Sequence, residues 1–200
     1  YFFKQHPAIG ADVESRGLGD VYKRQAYKVI KEVPPEDELP AVESNLTFVG
    51  LVGMMDPPRE TVKESIKTCR EAGIRPIMIT GDSLSTATAI AKEIGIIQEG
   101  TGVIEGKELD KLSDEQLIKE VSKYSVYARV QPEHKVRIVK AWQANNKVVA
   151  MTGDGVNDAP AIKLAHVGIG MGKTGTEVTK SVADVILVDD SFSTIVDAVG

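Results

Sequence analysis

From Leu46 onward the chain alternates between short apolar runs bounded by turn residues and longer segments whose apolar residues recur at helical spacing. No single motif limits the fold as much as this alternation does. The run TFVGLVGM, followed by the turn residues DPPR, predicts a strand buried on both faces. Residues 60–72 carry Val62, Ile66 and Cys69 on one helical face, and Gly73 supplies the stop. PIMIT predicts a second strand, and residues 83–94 a second helix with Leu84, Ala87, Ala91 and Ile94 inward. Residues 100–106 read as a turn-rich insertion. Beyond it, residues 112–121 read as a helix, SVYAR as a strand, and residues 132–144 as a helix with Val136, Val139 and Trp142 inward. The strand KVVAM, a helix from near Ala159, the strand VGIGM, a helix from Thr176, the strand DVILV and a helix from Ser191 complete the series. Strands separated by helices require right-handed crossovers, so the expected fold is α/β, a mostly parallel sheet with helices on both faces.

The first residues do not share this pattern. Residues 1–25 follow neither period, mix glycine with both charges, and lack the parts of a signal peptide. Within them ESRGLGDVYKRQ resembles translated adapter or vector sequence, so residues 1–25 are expected to stand outside the fold as a non-native or disordered leader. Residues 26–45 offer a short strand and then a Pro-rich acidic linker. The chain of 200 residues suits one domain, or one domain plus a fragment, with residues 46–200 as its organised part.

Composition removes several function classes. A net charge of -5, with basic residues interleaved among acids, gives no nucleic-acid surface. The single Cys69 cannot form an internal disulfide and falls at an apolar helical position, which suits a buried thiol in a reducing compartment. The longest apolar runs, TFVGLVGMM and DVILV, are far shorter than the roughly 20 residues of a membrane helix.

Ligands of such sheets bind beyond the carboxyl ends of the strands. PIMIT runs into Gly81 and Asp82, and KVVAM into Thr152-Gly153-Asp154-Gly155, which puts Thr80, Asp82, Asp154 and Asp158 on one rim. Asp and Gly after a strand are also ordinary turn residues and helix caps, and Thr80-Gly81-Asp82 taken alone supports that plainer reading. The stretch MTGDGVNDAPA is harder to dismiss. Asp154 lies between glycines that let backbone approach a ligand, with Asn157 and Asp158 one turn on. Two carboxylates with no basic residue between them repel unless a cation intervenes, and Mg²⁺ suits one or two carboxylates plus phosphate oxygens. ARVQPEHK adds Arg129 at a strand end and Lys135 in the first turn of a helix opened by Pro132. Lys135 can neutralise a phosphoryl oxygen while the Thr80 hydroxyl and backbone N–H groups donate to others. A lysine in a first helical turn opposes the helix dipole, which favours a functional reason for it. His134 and His166 have no second ligand at metal spacing and read as solvated or satisfied side chains. GIGMGKTGTE is no P-loop, since Val167 stands where that pattern needs glycine.

Together GLVGMMDPPRETV, IMITGD, ARVQPEHK, MTGDGVNDAPAIKLAHVGIGM and ADVILVDDSFSTIVDAV resemble successive segments of the phosphorylation domain of cation-transporting P-type ATPases, most similar to the calcium-pump-like branch. The resemblance covers residues 26–200; the stretch around Asp154 is very specific, whereas TGD alone is weak. It implies a haloacid-dehalogenase-like Rossmannoid fold, with ATP as substrate and Mg²⁺ as cofactor. In this family ATP phosphorylates an aspartate in Asp-Lys-Thr-Gly-Thr, and the phosphorylation cycle drives a cation across a membrane. By matching motif, Asp154 resembles the Mg²⁺ ligand, Lys135 and Thr80 the groups that hold the transferred phosphoryl, and Asp158 a support for the lysine and the metal. Gly81, Asp82, Arg129 and Asn157 match positions that contact ATP or its phosphates. Residues 56–59 resemble the hinge from the nucleotide domain, and residues 26–45 the end of that domain.

Departures bear on activity. Asp-Lys-Thr-Gly-Thr does not occur in this sequence, so the nucleophile is absent, and most of the nucleotide domain, the actuator domain and the membrane helices are expected in other parts of a parent chain. Such a parent is a multi-pass membrane protein with this fragment in a cytoplasmic domain. The strand bearing the nucleophile is expected centrally in the sheet, so the isolated fragment should be weakly stable and inactive toward ATP. A soluble phosphatase of the same superfold is the alternative, but it calls for an Asp-x-Asp motif that this sequence lacks. A non-catalytic module would lack Asp154 and Lys135, and both are present. Ca²⁺ is the expected cargo by resemblance; Na⁺, K⁺, H⁺ and Mn²⁺ stay open, because intramembrane residues select the ion.

Overall fold

The computed structural model describes residues 2–6, 21–29, 44–54 and 60–199. They fall into two units, Tyr1–Pro57 and Pro58–Gly200. In the first, β1 (Phe2–His6), β2 (Val21–Lys28) and β3 (Thr47–Met54) form an antiparallel sheet in the order β1-β2-β3. Phe2 pairs with Lys28 and Val21 with Met54, and a register shift falls at Gln25/Ala26. Residues 2–6 and 21–25, expected outside the fold, are thus strand. The predicted β3 forms, but in an antiparallel sheet and not buried on both faces: Phe48 is 62% and Val49 60% exposed. These neighbours point to opposite sides of the strand, so neither side is covered there. An apolar run specifies a strand without supplying the layers that would bury it. Of the strand and linker expected over residues 26–45, residues 30–43 lie outside the described residues, as does the hinge at 56–59.

In the second unit the predicted alternation is realised. It runs α1 (Glu60–Glu71), β4 (Met78–Ile79), α2 (Leu84–Glu93), β5 (Gly102–Glu105), α3 (Gly106–Leu109), α4 (Asp114–Glu120), β6 (Tyr124–Ala128), α5 (Pro132–Ala144), β7 (Ala150–Gly153), α6 (Ala159–Leu164), β8 (Val167–Met171), α7 (Glu177–Val182), β9 (Val185–Leu187) and α8 (Phe192–Val199). Every strand pair is parallel, in two sheets ordered β4-β6-β5 and β7-β8-β9. β6 shows why helices must lie on both faces. Val126 and Ala128 pack with Ile66, Ala87 and Ala91 from α1 and α2. Tyr127, between them, points to the opposite face and packs with Leu117, Ile138 and Trp142 from α4 and α5. A third cluster of Val139, Met151, Ala161 and Ile162 joins α5, β7 and α6, with Ile79 of β4 against it.

Local signals explain most boundaries. Ser83 caps α2, accepting the Thr86 N–H at 3.2 Å. Ser113 and Gln116 close a reciprocal capping box on α4, and Pro132 opens α5 without losing a helical hydrogen bond. Gly73, at φ 77°, ends α1 in a conformation that L side chains rarely adopt. Two expectations are corrected. Leu84 is 40% exposed because it opens α2 instead of lying within it. Residues 102–105 are not part of a turn-rich insertion but the strand β5, which pairs in parallel with β6. Cys69 is buried, and burial pushes its thiol pKa up, as befits a packing residue. Among the described residues no helix is long and apolar enough to cross a membrane.

Candidate functional site

Thr80 follows β4 and continues its pairing, its N–H donating to Tyr127 O at 2.9 Å. The N–H of Val130 donates to Thr80 O at 3.2 Å and that of Arg129 to Asp82 O at 2.9 Å, which ties the ends of β4 and β6 together. Arg129 sits at φ 48°, uncommon for a side-chain-bearing residue and held by these bonds on either side. Its side chain is exposed, and so is Gly81. Asp82 is only 3% exposed. The Thr80 hydroxyl donates to Asp82 Oδ2 at 2.8 Å and accepts the Asp82 N–H at 3.1 Å. A hydroxyl has one proton, so that of Thr80 is directed at Asp82. Asp82 Oδ1 is buried without a partner among the described residues. The carboxylate therefore sits as a support for Thr80, turned inward from the rim where an ATP contact was expected.

β7 ends in the second half of the site. The turn Val156–Asp158 folds back so that Asp158, 7% exposed, places one carboxylate oxygen on the Lys135 ammonium and the other on the Gly155 N–H at 3.2 Å. Gly153 makes this possible, since a Cβ there would stand 2.5 Å from Asp158 Cβ and 2.7 Å from Oδ2. A Cβ on Gly155 would meet Asp158 Oδ2 at 3.6 Å, an ordinary contact. Space at Gly153 thus serves Asp158. Lys135 also answers the repulsion between the two carboxylates, because it neutralises Asp158 without a metal. Asp154 and Asn157 are exposed. Among the described residues the Asp154 carboxylate has no hydrogen-bond or ion-pair partner. Its backbone is fixed from behind: Thr176 N–H donates to Asp154 O at 2.9 Å, and the fully buried Thr179 hydroxyl reaches Gly155 O at 3.0 Å and Asp154 O at 3.3 Å.

Among the described residues no three His, Cys, Asp or Glu side chains converge as a metal cage. The donor set fits Mg²⁺ in its one-carboxylate form, with Asp154 open and Asp158 already engaged. The Gly-Lys-Thr decoy has a structural use. The N–H groups of Gly172, Lys173 and Thr174 donate to the Asp190 carboxylate at 2.7, 2.9 and 2.8 Å. His166 is satisfied, its Nδ1 accepting the Val149 N–H at 3.1 Å, and His134 is buried. Sequence reading missed the support from Thr179 and Asp190. A threonine inside a helical segment and an aspartate after a strand carry no local mark of the loops they will meet.

The model of the haloacid dehalogenase-like hydrolases matches residues 3–166. The chain is 58% identical over 158 residues to calcium-transporting ATPase 1 of Bacillus cereus, 79% of this chain and 18% of that protein. It is 51% identical over 176 residues to the calcium-transporting ATPase of Bacillus subtilis, 87% of this chain and 19% of the relative. Human calcium-transporting ATPase type 2C member 1 is 51% identical over 154 residues, 77% of this chain and 17% of the relative. The chain thus spans less than a fifth of the length of these relatives. It belongs to the haloacid dehalogenase-like hydrolase family, in a form whose sequence matches the calcium-transporting P-type ATPases.

Proposed function

We propose that this chain is the Mg²⁺- and phosphoryl-binding part of the phosphorylation domain of an ATP-driven calcium pump. The observation that carries the reading is the half-buried Lys135–Asp158 pair beside the open carboxylate of Asp154, at the end of a parallel strand. Lys135 holds a phosphoryl oxygen by charge, and Asp158 fixes the direction of its ammonium. Exposed Gly81, Arg129 and Asn157 border the rim where the remaining phosphates of ATP are received. Thr80 is held by Asp82 and donates to the phosphoryl by turning its proton from Oδ2 to the ligand. Asp154 would hold Mg²⁺, which when bound neutralises phosphate charge. The attacking aspartate, absent from this sequence, belongs between β4 and β7. Each of these is an edge strand of its sheet among the described residues, and Ile79 of β4 packs on the cluster containing Met151 of β7. The parent protein spans a membrane and carries Ca²⁺, with this chain on the cytoplasmic side; the names of the relatives support the cargo.

The test uses the purified chain. Titration with Mg²⁺ should shift the Asp154 and Gly155 amide resonances, Asp154→Ala should abolish the shift, and MgATP should release no phosphate above the buffer rate. Mg²⁺-dependent phosphate release lost in Asp154→Ala would overturn the reading in favour of a self-sufficient phosphatase. A Mg²⁺ response indifferent to Asp154 would remove the metal assignment.

A further inference from the structure

His134 takes no part in the site as described, yet it is among the most constrained polar side chains of the second unit. It is 6% exposed, in the first turn of α5, directly before Lys135. Its Nδ1 accepts the Gln131 N–H at 3.0 Å, and its Nε2 stands 2.7 Å from Asp110 Oδ1. These partners fix one tautomer: Nδ1 must be bare to accept from a backbone N–H, and Nε2 must carry the proton that faces a carboxylate. Gly106 leaves room first for the Arg129 carbonyl, which a Cβ there would overlap, and then for the ring, from which that Cβ would stand 3.0 Å at His134 Cε1 and 3.1 Å at Nδ1.

The arrangement closes the start of α5 on itself. The Gln131 N–H is one of the donors a helix start leaves without an internal partner, and His134 takes it from inside the first turn. The His134 N–H donates back to Gln131 O at 3.1 Å. Through Nε2 the closed turn is moored to Asp110, the residue that follows α3. Lys135 is the next residue, so the placement of this turn decides whether its ammonium meets Asp158. The turn also has an electrostatic task, because an ammonium in a first helical turn opposes the helix dipole and must be held there.

We propose that His134, as the Nε2–H tautomer, is the positioning residue that sets Lys135 against Asp158, with its Nδ1 acceptor as the decisive atom. The functional meaning of this role rests on the reading of Lys135 as a phosphoryl-holding residue. The pairing itself can be followed without catalysis. An ammonium engaged by a buried carboxylate reacts slowly with an acylating reagent, so the labelling rate of Lys135 in the full chain, read by peptide mass spectrometry, reports the pair.

Asparagine places an amide oxygen near the position of Nδ1, whereas glutamine places its amide nearer Nε2 and leaves the Gln131 N–H without an acceptor. In His134→Asn, Lys135 should label at the rate of the unaltered chain. In His134→Gln and His134→Ala it should label about fivefold faster, the effect of losing one helix-start hydrogen bond. Lys140 and Lys163 serve as internal references and should not change. If His134→Ala unfolds and labels everywhere, the Asn and Gln variants carry the test. Equal Lys135 rates in those two, fast or slow, overturn the proposal. Asp158→Asn separates the two readings. If it speeds Lys135 labelling while the Asn and Gln variants match, the site stands and the role of His134 falls. If it leaves Lys135 unchanged, the pair on which both rest falls.

Discussion

Gly153 and Gly155 flank Asp154 symmetrically in the sequence but differ in what they do. A Cβ on Gly153 would overlap the Asp158 side chain, while Gly155 has φ -93° and room for a methyl group. Gly153→Ala should therefore destabilise the fold by about 1–3 kcal/mol, the usual cost of forcing an atom into a packed site. Gly155→Ala should stay within about 0.5 kcal/mol. Urea denaturation of the two variants checks this, and equal losses would contradict it. Thr80 offers a second contrast at this scale. Its hydroxyl is the donor for the buried Asp82 carboxylate, whose other oxygen has none among the described residues. Thr80→Val should cost about 1–3 kcal/mol by leaving that carboxylate unsatisfied, whereas Thr80→Ser keeps the donor and most of the stability. Spacing in the sequence pointed to both residues, but only atomic distances separate a ligand contact from a support.

At the scale of elements, the site is held by loops that later segments pin. The loop after β8 is fastened by Asp190, in the turn that follows β9, through three successive N–H groups. The Lys173 N–H leads the hydrogen bonds that lower the Asp190 pKa from its ordinary 3.8 to about 2. A depressed carboxyl pKa stabilises the folded state above the ordinary value and loses that contribution as pH falls through the folded one. Asp190→Asn keeps the shape and tolerates the φ of 55°, but removes the charge. Its urea midpoint should lie below that of the unaltered chain at pH 7, and the gap should close as pH falls from about 4 toward 2. A gap that persists at the acid end would show that shape, not charge, fastens the loop. Helical period and capping residues made α1, α2, α4 and α5 legible, because those signals are local. The strand β5 was not legible: GVIE has too few residues to show a period, and only its pairing with β6 makes it a strand.

For the molecule as a whole, the decisive feature is that the second unit holds two parallel sheets with shared helices. β6 and β8 lie centrally in their sheets, while β4 and β7 each leave one edge without a strand partner among the described residues. Open edges exchange amide protons by small local openings, central strands only by larger ones. Hydrogen exchange of the chain should therefore be slowest in β6 and β8 and markedly faster in β4 and β7. Protection of β4 and β7 equal to that of the central strands would mean that the two edges are covered, and would count against a place there for the nucleophile's strand.

By itself the sequence determined the α/β class and, apart from β5 and α3, the order of strands and helices in the second unit. Alternating periods, caps and strand-end motifs are written in neighbouring residues, where propensity and spacing act. Only the tertiary structure decided which acids are free. Asp154 faces outward while Asp158 and Asp82 turn in, because Lys135 and Thr80 arrive from α5 and the end of β4 to meet them. It also decided that the strands divide into two parallel sheets and that β3 pairs with β2. Pairing and burial depend on what lies opposite, and the residues opposite are distant in the chain.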